Sequence, residues 1–237
     1  MSITDDIKNG LIVSCQALPD EPLHSSFIMS RMAVAAIQGG AVGIRANSVA
    51  DIQAIKAVCT QPVIGIIKQA YPDSDVFITA TRDEVEALSH TGCEIVALDA
   101  TCRRRPDGMT LPQLLSEIRI RYPHLLLMAD CSTVEEALVA DSLGFDFIGT
   151  TLVGYTKESA HLTIHENDFA LLKTLLAKVR APVIAEGNIN TPDMARRAYE
   201  LGAHAVVVGS MITRPQLITQ KFVAALQDAN APAHQDH

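Results

Sequence analysis

The sequence predicts a single (β/α)8 TIM barrel, and three observations carry that prediction. Short apolar runs alternate with longer amphipathic segments from one end of the chain to the other. The amphipathic segments stop at a glycine shortly before the next apolar run, as in Gly40-Ala-Val-Gly-Ile, Gly92-Cys-Glu-Ile-Val, Gly144-Phe-Asp-Phe-Ile and Gly202-Ala-His-Ala-Val. A glycine there takes the left-handed conformation that ends a helix and turns the chain back toward a sheet. Eight such units fit the 237 residues, close to the roughly 250 typical of a barrel whose crossovers all run right-handed. A doubly wound open sheet would need a glycine-rich fingerprint after its first strand and has none in this sequence.

The elements follow in order. Leu11 to Cys15 forms the first apolar run, with a strand expected over 11–16, and a helix pattern over 25–38 runs to Gly40. The second strand, 41–46, closes with Arg45; Ser48, with Asp51 three residues on, caps a helix over 48–58. The third strand, 63–68, is Val63 to Ile67 closed by Lys68, and Thr81 with Glu84 opens the helix at 81–91. Strands at 94–99 and 125–130 end in Asp99 and Asp130, with a helix at 111–121 between them. Thr133 and Glu136 start the helix at 133–143; the sixth strand follows at 146–150 and the next helix at 167–179. The strand at 182–186 ends in Glu186, and Thr191 caps a helix over 191–201 with Pro192 at its first position. A strand at 205–209 and a helix at 214–227 complete the barrel. One domain is thus expected over 1–227, and the Ala-, Pro-, Gln- and His-containing stretch 228–237 as a disordered tail.

Composition fits this reading and excludes several function classes. Hydrophobic residues make up 48% of the chain and aromatics only 4%, the Ala, Val, Ile and Leu mixture of buried parallel strands. A net charge of -8 argues against a nucleic-acid backbone as partner. It leaves room for an anionic substrate held by a local cluster of donors. The five cysteines show no Cys-x-x-Cys spacing and point to neither a zinc site nor a disulfide framework. The polar stretch from Met1 to Gly10 resembles no targeting peptide, and no apolar run approaches the roughly 20 residues of a membrane span. A cytoplasmic protein with no membrane partner is expected.

The strand ends carry the chemistry. Gln16, Arg45, Lys68, Asp130 and Glu186 each close an apolar run, so parallel strands bring all five to one face. An ammonium at the mouth of an apolar strand is costly unless something pairs with it or uses it, and desolvation lowers the pKa of such a lysine. Arg45, always charged, suits a phosphate or a developing oxyanion. A structural ion-pair layer would explain one such residue better than five. Glu186-Gly187-Asn188 and Gly209-Ser210 follow the last two strands, where barrels commonly hold phosphate on backbone amides, and Arg214 lies four residues beyond Ser210. The segments after Lys68 and from Leu152 to Asn167 exceed the usual loop length and are expected as lids or gripping loops. Asp99 is open between capping and catalysis, Arg103 to Arg105 is expected as a mostly solvated charge run, and His161 and His165 as surface loop residues.

Ser14-Cys-Gln-Ala, Gly43-Ile-Arg-Ala, Ile66-Ile-Lys, Leu98-Asp-Ala-Thr, Arg105-Pro-Asp-Gly, Met128-Ala-Asp, Gly149-Thr-Thr-Leu-Val-Gly-Tyr-Thr, Ala185-Glu-Gly-Asn-Ile and Ile212-Thr-Arg-Pro together resemble the N-acetylmannosamine-6-phosphate 2-epimerase family, in order from about Leu11 to Leu226. The resemblance implies a TIM barrel that interconverts N-acetylmannosamine 6-phosphate and N-acetylglucosamine 6-phosphate in sialic acid breakdown, with no redox cofactor and no metal. It implies Lys68 and Glu186 as the catalytic pair. Gln16, Arg45, Asp130 and Arg214 would line the sugar and phosphate site, and Gly187, Asn188, Gly209 and Ser210 would help hold the phosphate. A phosphorylated N-acetylhexosamine is then the expected partner, with a homodimer expected from fold analogy alone. The competing functions are a Schiff-base aldolase or lyase working through Lys68, and a sugar-phosphate binding barrel without turnover.

Overall fold

The structure, a computed structural model, describes residues 2–230. Eight parallel strands close on themselves in sequence order: β1 Gly10–Cys15, β2 Gly43–Asn47, β3 Val63–Ile66, β4 Ile95–Asp99, β5 Leu126–Asp130, β6 Phe147–Gly149, β7 Val183–Ala185 and β8 Ala205–Val208. Ile12 of β1 pairs with Val207 of β8 and closes the barrel, so among the described residues none of the eight strands has an open edge. The helices are α1 Ile3–Ile7, α2 Ser26–Gln38, α3 Val49–Lys56, α4 Arg82–Ser89, α5 Leu111–Arg121, α6 Val134–Ser142, α7 Glu166–Lys178, α8 Pro192–Glu200, α9 Ser210–Thr213 and α10 Pro215–Asn230.

The expected start and stop signals operate as capping chemistry. Ser48 accepts a hydrogen bond from the Asp51 amide, Thr133 and Glu136 form a reciprocal box, and Thr191 caps α8 ahead of Pro192. Gly40, Gly92, Gly144 and Gly202 all sit at positive φ, between 81° and 106°. Two apolar layers result. Ile12, Ile64, Ile95, Met128, Phe147, Ile184 and Val207 fill the barrel interior. Alternate strand residues such as Val13, Ile44, Val96, Ala129 and Val206 pack outward against the helices.

Several elements differ from expectation. Strands β1, β3, β6, β7 and β8 end a residue or two early at their carboxyl ends, so Gln16 and Glu186 stand on the first loop residue after their strands and Lys68 on the second. Strands β4 and β5 end as expected and β2 runs one residue further. The polar start of the chain is helix α1, opened by a Ser2–Asp5 capping box, and Ile7 packs into the barrel interior. A five-residue helix has too few turns to show a period. The last expected helix, 214–227, is α10, which carries on to Asn230, into the stretch expected as tail, and a short unexpected helix, α9, precedes it; 231–237 lie outside the described residues.

The long segment after β3 folds back as a hairpin: Lys68 pairs with Ile78, and the Gln69 amide bonds to the Phe77 carbonyl at 3.0 Å. Of the arginine run, only Arg104 is exposed. Arg103 pairs with buried Asp99 at 2.6 Å and donates to the Asp75 carbonyl at 2.9 Å. Buried Arg105 donates to the carbonyls of Asp99 and Ala80. These two arginines buttress the hairpin instead of lying solvated, because the β4 carboxylate and free loop carbonyls need donors. His161 and His165 are exposed, as expected.

Candidate active site

Strand alternation decides which side chains meet. Interior positions on β1 and on β3 to β8 run through Ile12, Ile64, Ile95, Met128, Phe147, Ile184 and Val207. Counting on by two from them reaches Ser14 and Gln16, Ile66 and Lys68, Ala97 and Asp99, Asp130, Gly149 and Thr151, Glu186, and Gly209. The chain therefore turns a ring of polar groups into the carboxyl-terminal mouth of the barrel. Gln16, Lys68, Thr151, Glu186, Ser210 and Arg214 line one cavity of 680 Å³ there, with apolar wall from Phe77, Ile78, Leu152 and Val207.

Arg45 and Asp130 lie beneath this cavity and are absent from its wall. Arg45 is 1% exposed and Asp130 0%, and a bidentate pair joins them, Nη2 to Oδ2 at 2.5 Å and Nη1 to Oδ1 at 3.0 Å. Nη1 also donates to Glu186 Oε2 at 2.8 Å. One guanidinium thus bridges two carboxylates through its terminal nitrogens, while its buried Nε has no partner among the described residues. Burial works against the Arg45 charge, but the Asp130 and Glu186 carboxylates hold its pKa above the ordinary value. Burial pushes the Glu186 carboxyl above the usual range; Arg45 opposes that shift and Asp130 adds to it.

Lys68 is half-buried, its amide held by the Asn47 side-chain oxygen at 2.8 Å. Desolvation, with the Arg45 and Arg214 guanidinium groups, lowers its amine to about 8, while Glu186 and Asp130 pull the other way. An amine in that range exchanges protons readily near neutrality. Gln16 donates to Ser14 Oγ at 2.7 Å, and its buried Oε1 has no partner among the described residues. That acceptor is available to a ligand N–H or O–H.

The far end of the cavity is built from the residues after β7 and β8. Gly187 has φ 102°, and a Cβ on it would stand 3.2 Å from the Thr150 carbonyl oxygen. Gly209 passes so close to Ser14 that a Cβ would come within 3.3 Å of the Ser14 Cβ. Ser210 opens α9, so its amide and the next point outward without intrahelical acceptors. Arg214 reaches back to Ser210 Oγ at 3.3 Å and is braced by Glu21 at 2.8 Å. Asn188 accepts from the Tyr155 hydroxyl at 3.1 Å, tying the loop after β6 to the one after β7.

Three contributors escaped the sequence reading. Thr151 bonds to Asp130 and Glu186, Tyr155 lines the cavity, and Thr213 anchors α9 by donating to the Ser14 carbonyl at 2.9 Å. For Thr151 a signal existed: it lies two residues past the inward-facing Gly149. The loop after β6 is packed, with Thr156 bonded to Ser132 at 3.0 Å and Ser159 accepting from the Gly154 amide at 3.0 Å.

The chain matches known proteins along nearly its whole length. Residues 29–228 match the NanE family model, described as "Putative N-acetylmannosamine-6-phosphate epimerase". A relative from Enterobacter sp. (strain 638), named "Putative N-acetylmannosamine-6-phosphate 2-epimerase", is 58% identical over 226 residues, 95% of this chain and 96% of its own. A like-named Staphylococcus haemolyticus protein is 58% identical across 93% of this chain and 99% of its own. A solved N-acetylmannosamine-6-phosphate 2-epimerase from Clostridium perfringens superposes with a TM-score of 0.90 at 52% identity, covering 95% of this chain and 96% of that one. The chain belongs to the NanE family of N-acetylmannosamine-6-phosphate epimerases.

Proposed function

We propose that this protein interconverts N-acetylmannosamine 6-phosphate and N-acetylglucosamine 6-phosphate by removing and returning the proton on C2, a step of amino sugar breakdown. The observation that carries the proposal is the joint presence of Lys68 and Glu186 on one cavity wall, next to the glycine-bounded ends of β7 and β8 with Arg214. The relatives' names supply the substrate class.

The chemistry asks for what the cavity offers. A C2 proton is acidic only when C1 is an aldehyde, so the sugar ring opens first and closes last. Lys68 as a free amine takes the C2 proton, and the electron pair passes to the C1 oxygen as an enolate. Return of a proton to the opposite face of C2 gives the epimer, with no net change in oxidation state. Glu186, a buried carboxyl with a raised pKa, is the second proton-transfer group. The open Oε1 of Gln16 accepts from the acetamido N–H. Gly187, Asn188, Gly209 and Ser210 offer amides and a hydroxyl to the phosphate, and Arg214 its charge. Arg45 and Asp130 act through Glu186 by fixing its charge and orientation.

The test is to incubate the protein with each epimer separately and follow the anomeric proton signals. Convergence on one mixture from both sides is expected. Unchanged substrate from both sides contradicts the proposal, as does borohydride trapping of a substrate adduct on Lys68, which marks the Schiff-base class instead.

A further inference from the structure

Thr151 occupies an unusual position between the two buried carboxylates. Its Oγ1 stands 2.7 Å from Asp130 Oδ1 and 3.0 Å from Glu186 Oε2. A hydroxyl carries one hydrogen, so it can donate fully to only one of the two. Asp130 is already met by both Nη atoms of Arg45, at 2.5 and 3.0 Å. On Glu186, the Arg45 and Thr151 contacts both fall on Oε2. Among the described residues, Oε1 is thus the carboxyl oxygen without a protein donor. Gly149 leaves the necessary room, since a Cβ there would come within 3.1 Å of Thr151 Oγ1.

We propose that Thr151 is a positioning residue for the reaction: with Arg45 it occupies Oε2 of Glu186, which confines the exchangeable proton of that carboxyl to the cavity-facing Oε1. When Glu186 is ionised, the Thr151 hydrogen turns toward Oε2 and stabilises the charge. When Glu186 is protonated on Oε1, Oε2 becomes the weaker acceptor and the hydrogen turns to Asp130. The charged groups facing Glu186 are Arg45 from β2, Asp130 from β5 and Lys68 beyond β3. Thr151 is the neutral member whose donor can follow its charge. This inference rests on the proposed epimerase chemistry for its kinetic consequence, but not for its titration.

The experiment compares wild type with Thr151→Val, which keeps the shape and removes the hydroxyl, and Thr151→Ser, which restores it. In ligand-free protein with carboxyl-13C glutamate, the Glu186 signal is assigned by its loss in Glu186→Gln. Losing a donor to the ionised form raises the pKa, so Glu186 in Thr151→Val should titrate about one pH unit higher than in wild type. Thr151→Ser should return it to the wild-type position. With substrate, Thr151→Val should lose roughly 10- to 100-fold in kcat with KM nearly unchanged, and Thr151→Ser should recover most of it. Should Thr151→Val not fold, Thr151→Ala carries the same expectation. A merely structural role lowers thermal stability and leaves the titration unmoved. A Glu186 titration in Thr151→Val or Thr151→Ala superimposed on wild type overturns the inference. If wild type fails to turn over substrate while its titration responds to Thr151 as stated, the functional proposal fails and the assignment of Thr151 as the group that sets Glu186 stands.

Discussion

Arg45→Met tests the charge cluster that underlies the site. The substitution removes a guanidinium 2.5 Å from Asp130 and 2.8 Å from Glu186, and keeps most of the side-chain length. Removing one partner of a fully buried ion pair costs about 3–5 kcal/mol, because the charge left behind stays uncompensated. In a chain of this size each kcal/mol moves Tm by about 2–4 °C, so Tm should fall by about 6–20 °C at pH 8. The pH dependence has a definite sign. Glu186 already has a raised pKa from burial, and loss of Arg45 raises it further. Between its unfolded and folded pKa values the folded chain then binds more protons than the unfolded one, so stability falls as pH rises. Relative to wild type, the variant should recover part of its Tm between pH 8 and pH 5.5 by scanning calorimetry. A Tm loss below about 3 °C at pH 8, or one of equal size at both pH values, refutes this account of Arg45.

Three further outcomes follow from the same geometry. Arg214→Ala should raise KM for the phosphorylated sugar roughly 10- to 100-fold with kcat within a few-fold, since a charge-assisted bond is worth about 1.5–3 kcal/mol; an equal loss toward unphosphorylated N-acetylmannosamine contradicts the phosphate assignment. Gly187→Ala places a side chain at φ 102° and 3.2 Å from a carbonyl oxygen, and should cost about 1–3 kcal/mol by urea unfolding. The kcat/KM profile should rise with pH through an inflection at about 8, where Lys68 loses its proton to become the base. A profile already flat at pH 6 contradicts a free-amine base.

How much of this was legible in the sequence depended on the length of the signal. Glycine stops and Ser or Thr caps act over three or four residues, so the eight units could be read directly. The gathering of Gln16, Lys68 and Glu186 followed from counting strand ends. Depth within the barrel mouth did not. Arg45 and Asp130 belong to β2 and β5, whereas Lys68 and Glu186 stand beyond β3 and β7, and that small offset puts the first pair beneath the cavity. Nor could the sequence distinguish a solvated arginine from one spent on loop carbonyls, as Arg103 and Arg105 are. Thr151 could be placed at the mouth by counting on from Gly149, but its bonds to Asp130 and Glu186 could not be read before the depth of the two carboxylates was known.

The central claim is that the Lys68 amine moves the proton on C2. The direct measurement is deuterium incorporation at C2 of N-acetylmannosamine 6-phosphate in D2O, by proton NMR, for wild type and Lys68→Ala. Wild type should label C2 in both epimers, and the variant should lose at least about 100-fold in labelling rate, the lower bound for a general base. A folded Lys68→Ala protein that labels C2 as fast as wild type contradicts the account.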